Sequence, residues 1–230
     1  MKRCVLKAVM TMAFIFSLNP AAESAPAYGT KMPEKKQFFF GGQTHFVFER
    51  NLDQNRGTLS STQHLFLISY GLLDWLSIDL KGAGGDVEQI PDNGNEIDYP
   101  AFVGGGYGFR IKLYDQDQKK AVFGFQHISI HPESIFVNET KHKTVLDDWQ
   151  LSFLVSQEFR RFTPYMGGKW SRMDYIHWLN DDRERVKSDL SRSFGLIVGV
   201  DIPLTEKTWL NIEGQFLDVE ALAASINFHF

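Results

Sequence analysis

Cysteine is nearly absent: Cys4 is the one thiol in 230 residues. It precedes the apolar run Ala8 to Leu18, so it is not placed as a lipoprotein cysteine, and the chain beyond that run carries neither a disulfide framework nor thiol chemistry. Beyond the N-terminus no stretch approaches the roughly 20 apolar residues of a membrane-spanning helix. A basic stripe is missing too. Lys and Arg number 24 against 28 Asp and Glu, for a net charge of −4 and a pI near 6.0, which argues against a nucleic-acid partner. His127, His131 and His142 have no ligand spacing that would hold a metal. Gly104, Gly105, Gly106 and Gly108 fail as a nucleotide loop because no helical pattern follows them, so no cofactor is expected.

What the sequence does have is alternation. From Leu222 to the C-terminus every second residue is apolar: Leu222, Ala224, Ile226, Phe228 and Phe230. A period of two places one set of side chains on each face of a strand. An apolar face running to the last residue suits a strand that meets lipid and closes a barrel, since a bilayer accepts a sheet only without free edges. Mean hydropathy of −0.24 fits, because half of each such strand is polar.

Residues 1–27 read as a secretory signal peptide: Lys2, Arg3 and Lys7, then Ala8 to Leu18, then small residues. Ala22-Glu23-Ser24 and Ala25-Pro26-Ala27 both offer a cleavage site. Residues 28–36 read as a periplasmic N-terminal tail, and 37–230 as one barrel domain. From Gln37 onward there are about ten strand-like segments, each long enough for the roughly 9 to 11 residues that a tilted spanning strand needs. The expected fold is all-β, an antiparallel up-and-down transmembrane barrel of about ten strands, within a range of about 8 to 12. Long polar connections are expected at 84–98, 132–144 and 176–189, and short turns elsewhere.

A soluble barrel also alternates, with its apolar face inside. Here the polar parity carries Asp79, Lys81, Arg110, Lys112, Glu158, Lys169, Asp201 and Glu213, expected to pair within the lumen. The apolar parity has aromatic residues near strand ends: Trp75, Tyr114, Phe159, Phe162, Tyr165, Trp209, Phe228 and Phe230 by the short turns, Tyr175 and Trp178 by a long one. Such belts fit a membrane interface.

The turn Gly71-Leu72-Leu73-Asp74-Trp75, the start Pro164-Tyr165-Met166-Gly167-Gly168 and the ending Asn227-Phe228-His229-Phe230 resemble the small outer-membrane β-barrel proteins of Gram-negative-type bacteria. That resemblance implies insertion in the bacterial outer membrane among its lipids, with Phe230 and Phe228 as the signal read by the barrel-assembly machinery. It leaves several roles: a non-enzymatic barrel that is structural or meets an extracellular ligand through the long connections, or a narrow porin-like channel. A third is a lipid enzyme. His127 and Ser129, two apart on one face, resemble the His-x-Ser motif of outer-membrane phospholipase A and lipid A deacylase barrels, although Ile130 and His131 stand where those families have Asn. A Ser beside a His is the basic unit of acyl hydrolysis. Glu133, Glu139 and Asp148 are the candidates for the orienting third residue.

Overall fold

The computed structural model describes residues 25–53, 55–180, 182–184 and 192–230. Most of the expected leader and part of the connection expected at 176–189 lie outside the described residues. The strands are β1 (Phe38–Asn51), β2 (Thr58–Leu73), β3 (Leu76–Ile90), β4 (Ile97–Gln116), β5 (Lys119–Pro132), β6 (Ile135–Val137), β7 (Thr140–Gln157), β8 (Thr163–Leu179), β9 (Asp182–Glu184), β10 (Phe194–Pro203), β11 (Thr208–Phe216) and β12 (Glu220–His229). Pairing runs β7-β5-β4-β3-β2-β1-β12-β11-β10-β8, and β8 returns to β7. Ten antiparallel strands therefore close a cylinder, with β6 and β9 as short outgrowths on β7 and β8. The seam closes through the last residue: the Phe38 amide donates to the Phe230 carbonyl at 3.1 Å and the Phe230 amide to the Phe38 carbonyl at 2.8 Å.

One end of the cylinder has tight turns at 74–75, 117–118, 158–162 and 204–207 together with the C-terminus. At 117–118 both residues take positive φ, +52° and +63°, the left-handed pair that matches strand twist in a two-residue hairpin. The other end carries the remaining connections, which are shorter than the composition suggests. Strand β3 continues to Ile90 and β4 begins at Ile97, so the connection expected at 84–98 shrinks to 91–96. The one expected at 132–144 folds into the β6–β7 hairpin over Asn138 and Glu139, whose φ values are +48° and +67°. Glycine and polar residues gave these stretches a loop composition, yet Val87 and Ile97 within the first of them are buried inside the barrel and carry the strands upward.

The expected inside-out sheet holds. Phe66, Leu80, Val103, Phe153, Phe194 and Phe228 are exposed on the outer surface. In the opposite parity Asp79, Lys81, Arg110, Lys169, Asp201 and Glu213 are buried. Of the aromatic residues read as interfacial, Trp75, Tyr114, Phe159, Phe162, Phe228 and Phe230 do stand outside. Tyr165, Trp209 and Tyr175 are corrections: each is almost wholly buried in the lumen, because each falls on the inward parity of its strand.

Of the segment expected as an N-terminal tail, residues 34–36 are exposed at the turn end, whereas residues 28–30 lie inside the barrel. Residues 25–30 are buried within it. The chain enters at the turn end, where Lys35 bridges Gly71 and the Lys36 amide donates to the Gly71 carbonyl at 2.7 Å. Glycine is needed there, since a Cβ on residue 71 would fall 1.9 Å from the Glu34 carbonyl oxygen. A backbone without regular partners can be buried only where side chains satisfy it, and the polar lumen supplies them.

Candidate functional site

The interior consists of two layers. At the turn end an ionic network surrounds residues 25–31. Arg110 grips Asp79 with two bonds, Nε to Oδ2 at 2.9 Å and one terminal nitrogen to Oδ1 at 3.3 Å, and also donates to Ser69 at 3.1 Å and to the Lys31 carbonyl at 2.8 Å. A forked guanidinium suits this site because it reaches a carboxylate and the inserted segment at once. Glu213 accepts from the Ala27 amide and the Tyr165 hydroxyl, both at 2.9 Å, and from Gln215 at 2.8 Å. Lys169 meets Asp218 at 3.1 Å and donates to Gln215 at 2.7 Å. Lys81 donates to Gln126 and lies 4.2 Å above the Tyr28 ring. Gln126 and Gln215 both donate to the Ala25 carbonyl, at 3.0 and 3.2 Å. Asp201 accepts from Asn211 at 2.8 Å.

Lys112 and Glu158, expected in the same network, sit instead toward the turn-end rim. There they form partly exposed pairs with Asp115, at 2.9 Å, and with Lys120, at 4.0 Å. Both residues lie at the ends of their strands, so inward parity no longer means enclosure. Arg50 and Asp218 also face inward but were not singled out from the sequence, and Asp148, expected beside the His-x-Ser pair, faces inward with them. Asp218 belongs to the bend between β11 and β12, and Asp148 shares the inward parity of Leu146 and Gln150.

Toward the loop end the lumen is mostly apolar, with Arg50, Gln63 and Asp148 beside Ile128, Ile130, Leu146 and Met173. Leu59, Leu65, Val87, Tyr99, Phe102, Ile128, Ile130, Leu146, Met173 and Tyr175 form one buried cluster with Ala25 at its edge. Side chains from both sides of the cylinder meet here, as in the filled interior of a small barrel. The Tyr175 hydroxyl is satisfied by Gln89 at 2.6 Å. Beyond this layer lies an open vestibule of about 540 Å³ among the outer connections, lined by Asn55, Asn95, Asn138, Gln89, His142 and His177 among others. His142 Nδ1 and His177 Nε2 are 3.3 Å apart. Among the described residues no group of three or more His, Cys, Asp or Glu could hold a metal ion.

The outer wall carries a second polar cluster. Strand β5 turns Val122, Gln126, Ile128 and Ile130 inward, so His127 and Ser129 face outward with Phe123 and Phe125. They do not pair with each other. The His127 ring packs against Trp149, with centroids 4.1 Å apart, and stacks on Tyr107 at 5.4 Å. Ser129 contacts His131 Nε2 at 3.0 Å and donates to Asp147 Oδ1 at 2.5 Å. Asp147 lies opposite Ser129 in the β5–β7 register, which no spacing within either strand reveals. Asp148, one of the expected third residues, points to the other side of the sheet. Gly105 lies across from Ser129 on β4 and leaves that flank bare.

No family model and no curated protein matches the chain. Solved structures similar to it include an outer membrane channel from Pseudomonas putida F1, at 10% identity over 90% of this chain and 100% of that one, with a TM-score of 0.49. The outer membrane protease OmpT of Escherichia coli shows 13% identity over 84% and 92%, with a TM-score of 0.44. OprG of Pseudomonas aeruginosa shows 14% over 86% and 98%, with a TM-score of 0.43.

Proposed function

We propose that this outer-membrane β-barrel protein is a sealed, non-conducting and non-enzymatic barrel that meets its surroundings through the loop-end vestibule. The observation that supports this is the double closure of the lumen: residues 25–31 fill the ionic half, and the cluster around Leu146 and Met173 fills the other. A water-filled pore needs a continuous polar path, and a packed apolar layer interrupts it. The vestibule is rich in side-chain amides, which suit a neutral polar ligand, because each amide both donates and accepts. The outer lipids and the assembly machinery, the latter reading Phe230 and Phe228, belong to the same proposal.

Conductance across a planar bilayer tests it. The unmodified chain, a variant lacking residues 25–31 and a Leu146→Ala, Met173→Ala variant are each expected to be silent, whereas the combination conducts. Steady ohmic steps from the unmodified chain would make it a narrow pore and end the proposal.

The outward Ser129 favours one rival, a lipid acyl hydrolase. Its hydroxyl has a single proton, given to Asp147, so His131 faces it as a donor, the reverse of what activates a nucleophile. Acyl release from phospholipid or lipid A is therefore expected to be no higher than that of Ser129→Ala. Release that vanished in both Ser129→Ala and His131→Ala would establish the hydrolase instead.

A further inference from the structure

Two bonds offer themselves to a signal peptidase, since small residues occupy the final and antepenultimate leader positions both in Ala22-Glu23-Ser24 and in Ala25-Pro26-Ala27. The sequence treats them alike, but the barrel does not. Ala25 and Ala27 are buried at 6% and 7% exposure. The Ala25 carbonyl accepts from Gln126 and Gln215, its amide donates to the Asp148 carboxylate, and the Ala27 amide donates to Glu213. Cleavage after Ala27 would delete all three residues. Asp148, Gln126 and Gln215 would then face a hole in the middle of the barrel, and Ala25 would vacate the edge of the apolar cluster it joins.

We infer that the precursor is cut between Ser24 and Ala25, and that the α-ammonium formed on Ala25 is held against Asp148 at the centre of the barrel. The step is a hydrolysis. Water adds across the Ser24–Ala25 peptide bond, the leader leaves as a carboxylate, and the new amine takes up a proton, as an ordinary α-amino group does at neutral pH. The geometry gives that charge a purpose. Asp148 Oδ1 is buried and without a hydrogen-bond partner among the described residues. An amide offers one donor, whereas an ammonium offers three and a full positive charge. Ala25, Arg50 and Asp148 together line a cavity of about 20 Å³, so the new terminus lies beside both a buried carboxylate and a buried guanidinium. The first residue of the mature chain thereby becomes the inner tip of the inserted segment, fixed by charge at the boundary between the polar and the apolar layers.

The inference rests on the reading of residues 1–27 as an export signal, and one experiment separates the two. The full precursor is expressed in a Gram-negative host, and the barrel extracted from the outer membrane is analysed by intact mass and N-terminal sequencing. Ala25 is expected as the first residue. Tyr28 in that place would overturn the inference while leaving export intact, and a retained Met1 would remove export itself. The ion pair is tested on the refolded chain beginning at Ala25. N-acetylation keeps an N–H but removes the charge, and is expected to lower the unfolding midpoint in the unaltered sequence but not in Asp148→Asn. An unchanged midpoint in the unaltered sequence would show that no charge pair is formed.

Discussion

The two halves of the lumen are built from opposite chemistry on the same strands. On β5, Gln126 lies among Lys81 and the inserted segment, while Ile128 and Ile130, one and two inward positions further on, belong to the dry cluster. The ionic half stays polar because the chain returns into it. Arg110 binds a backbone carbonyl of the inserted segment as well as Asp79, and Glu213 receives a backbone amide. Among the described residues, the apolar half takes only Ala25, at its margin, from the N-terminal segment. Polar groups thus fix where the segment goes, and apolar packing fixes where the barrel is closed.

The largest effect is expected from the ionic half. Arg110→Met leaves Asp79 buried without its partner and releases the Lys31 carbonyl. A loss of about 3–5 kcal/mol is expected in urea unfolding of the refolded barrel, with the Asp79→Asn, Arg110→Met pair losing less than the single change. If both proteins unfolded at the unaltered midpoint, the inserted segment would not be held by this pair.

In the apolar half the expected loss is smaller and of another kind. Leu146→Ala opens a cavity where the layer is packed, for about 2–5 kcal/mol in the same assay. Leu151→Ala, on the same strand but facing outward, serves as the comparison. It leaves no enclosed hole, so lipid chains can fill the space, and a much smaller loss is expected. Equal losses at 146 and 151 would mean that the loop-end interior is not a packed layer.

The smallest effect lies beyond both halves, in the 91–96 connection. A hydrogen bond with Glu88, and then repulsion from it, raises the pKa of the exposed Glu96 carboxyl above the usual 4.5. An acid whose pKa is raised on folding binds its proton more tightly in the folded state. The connection should therefore tighten as pH falls into the range just above 4.5 and loosen at higher pH. Amide exchange of residues 91–96 is expected to show this trend and to lose it in Glu96→Gln.

Much of this architecture is legible in the residues. The alternation from Leu222 to Phe230 marks the closing strand, and the inward positions of Asp79, Lys81, Arg110, Lys169, Asp201 and Glu213 follow from period two alone. What escapes that reading has physical causes. In the outer half of β5 the usual order inverts, with Ile128 and Ile130 inside and His127 and Ser129 outside, so hydrophobicity misleads about which face is which. Tyr165, Trp209 and Tyr175 look like belt residues because an aromatic ring with a polar tip suits an interface and a polar lumen equally well. The meeting of Ser129 with Asp147 depends on register between strands, and the burial of residues 25–30 depends on a cavity that exists only after the barrel closes.

Both halves presuppose that alternate residues of each strand lie on opposite sides of the wall. The absence of cysteine after Cys4 allows this to be read directly, by attaching a fluorophore at Ser152→Cys and, separately, at its neighbour Phe153→Cys in a barrel reconstituted with brominated lipid. Strong quenching at 153 and little at 152 is the expected result, since Phe153 is exposed and Ser152 is buried. Equal quenching at the two positions, or stronger quenching at 152, would contradict it.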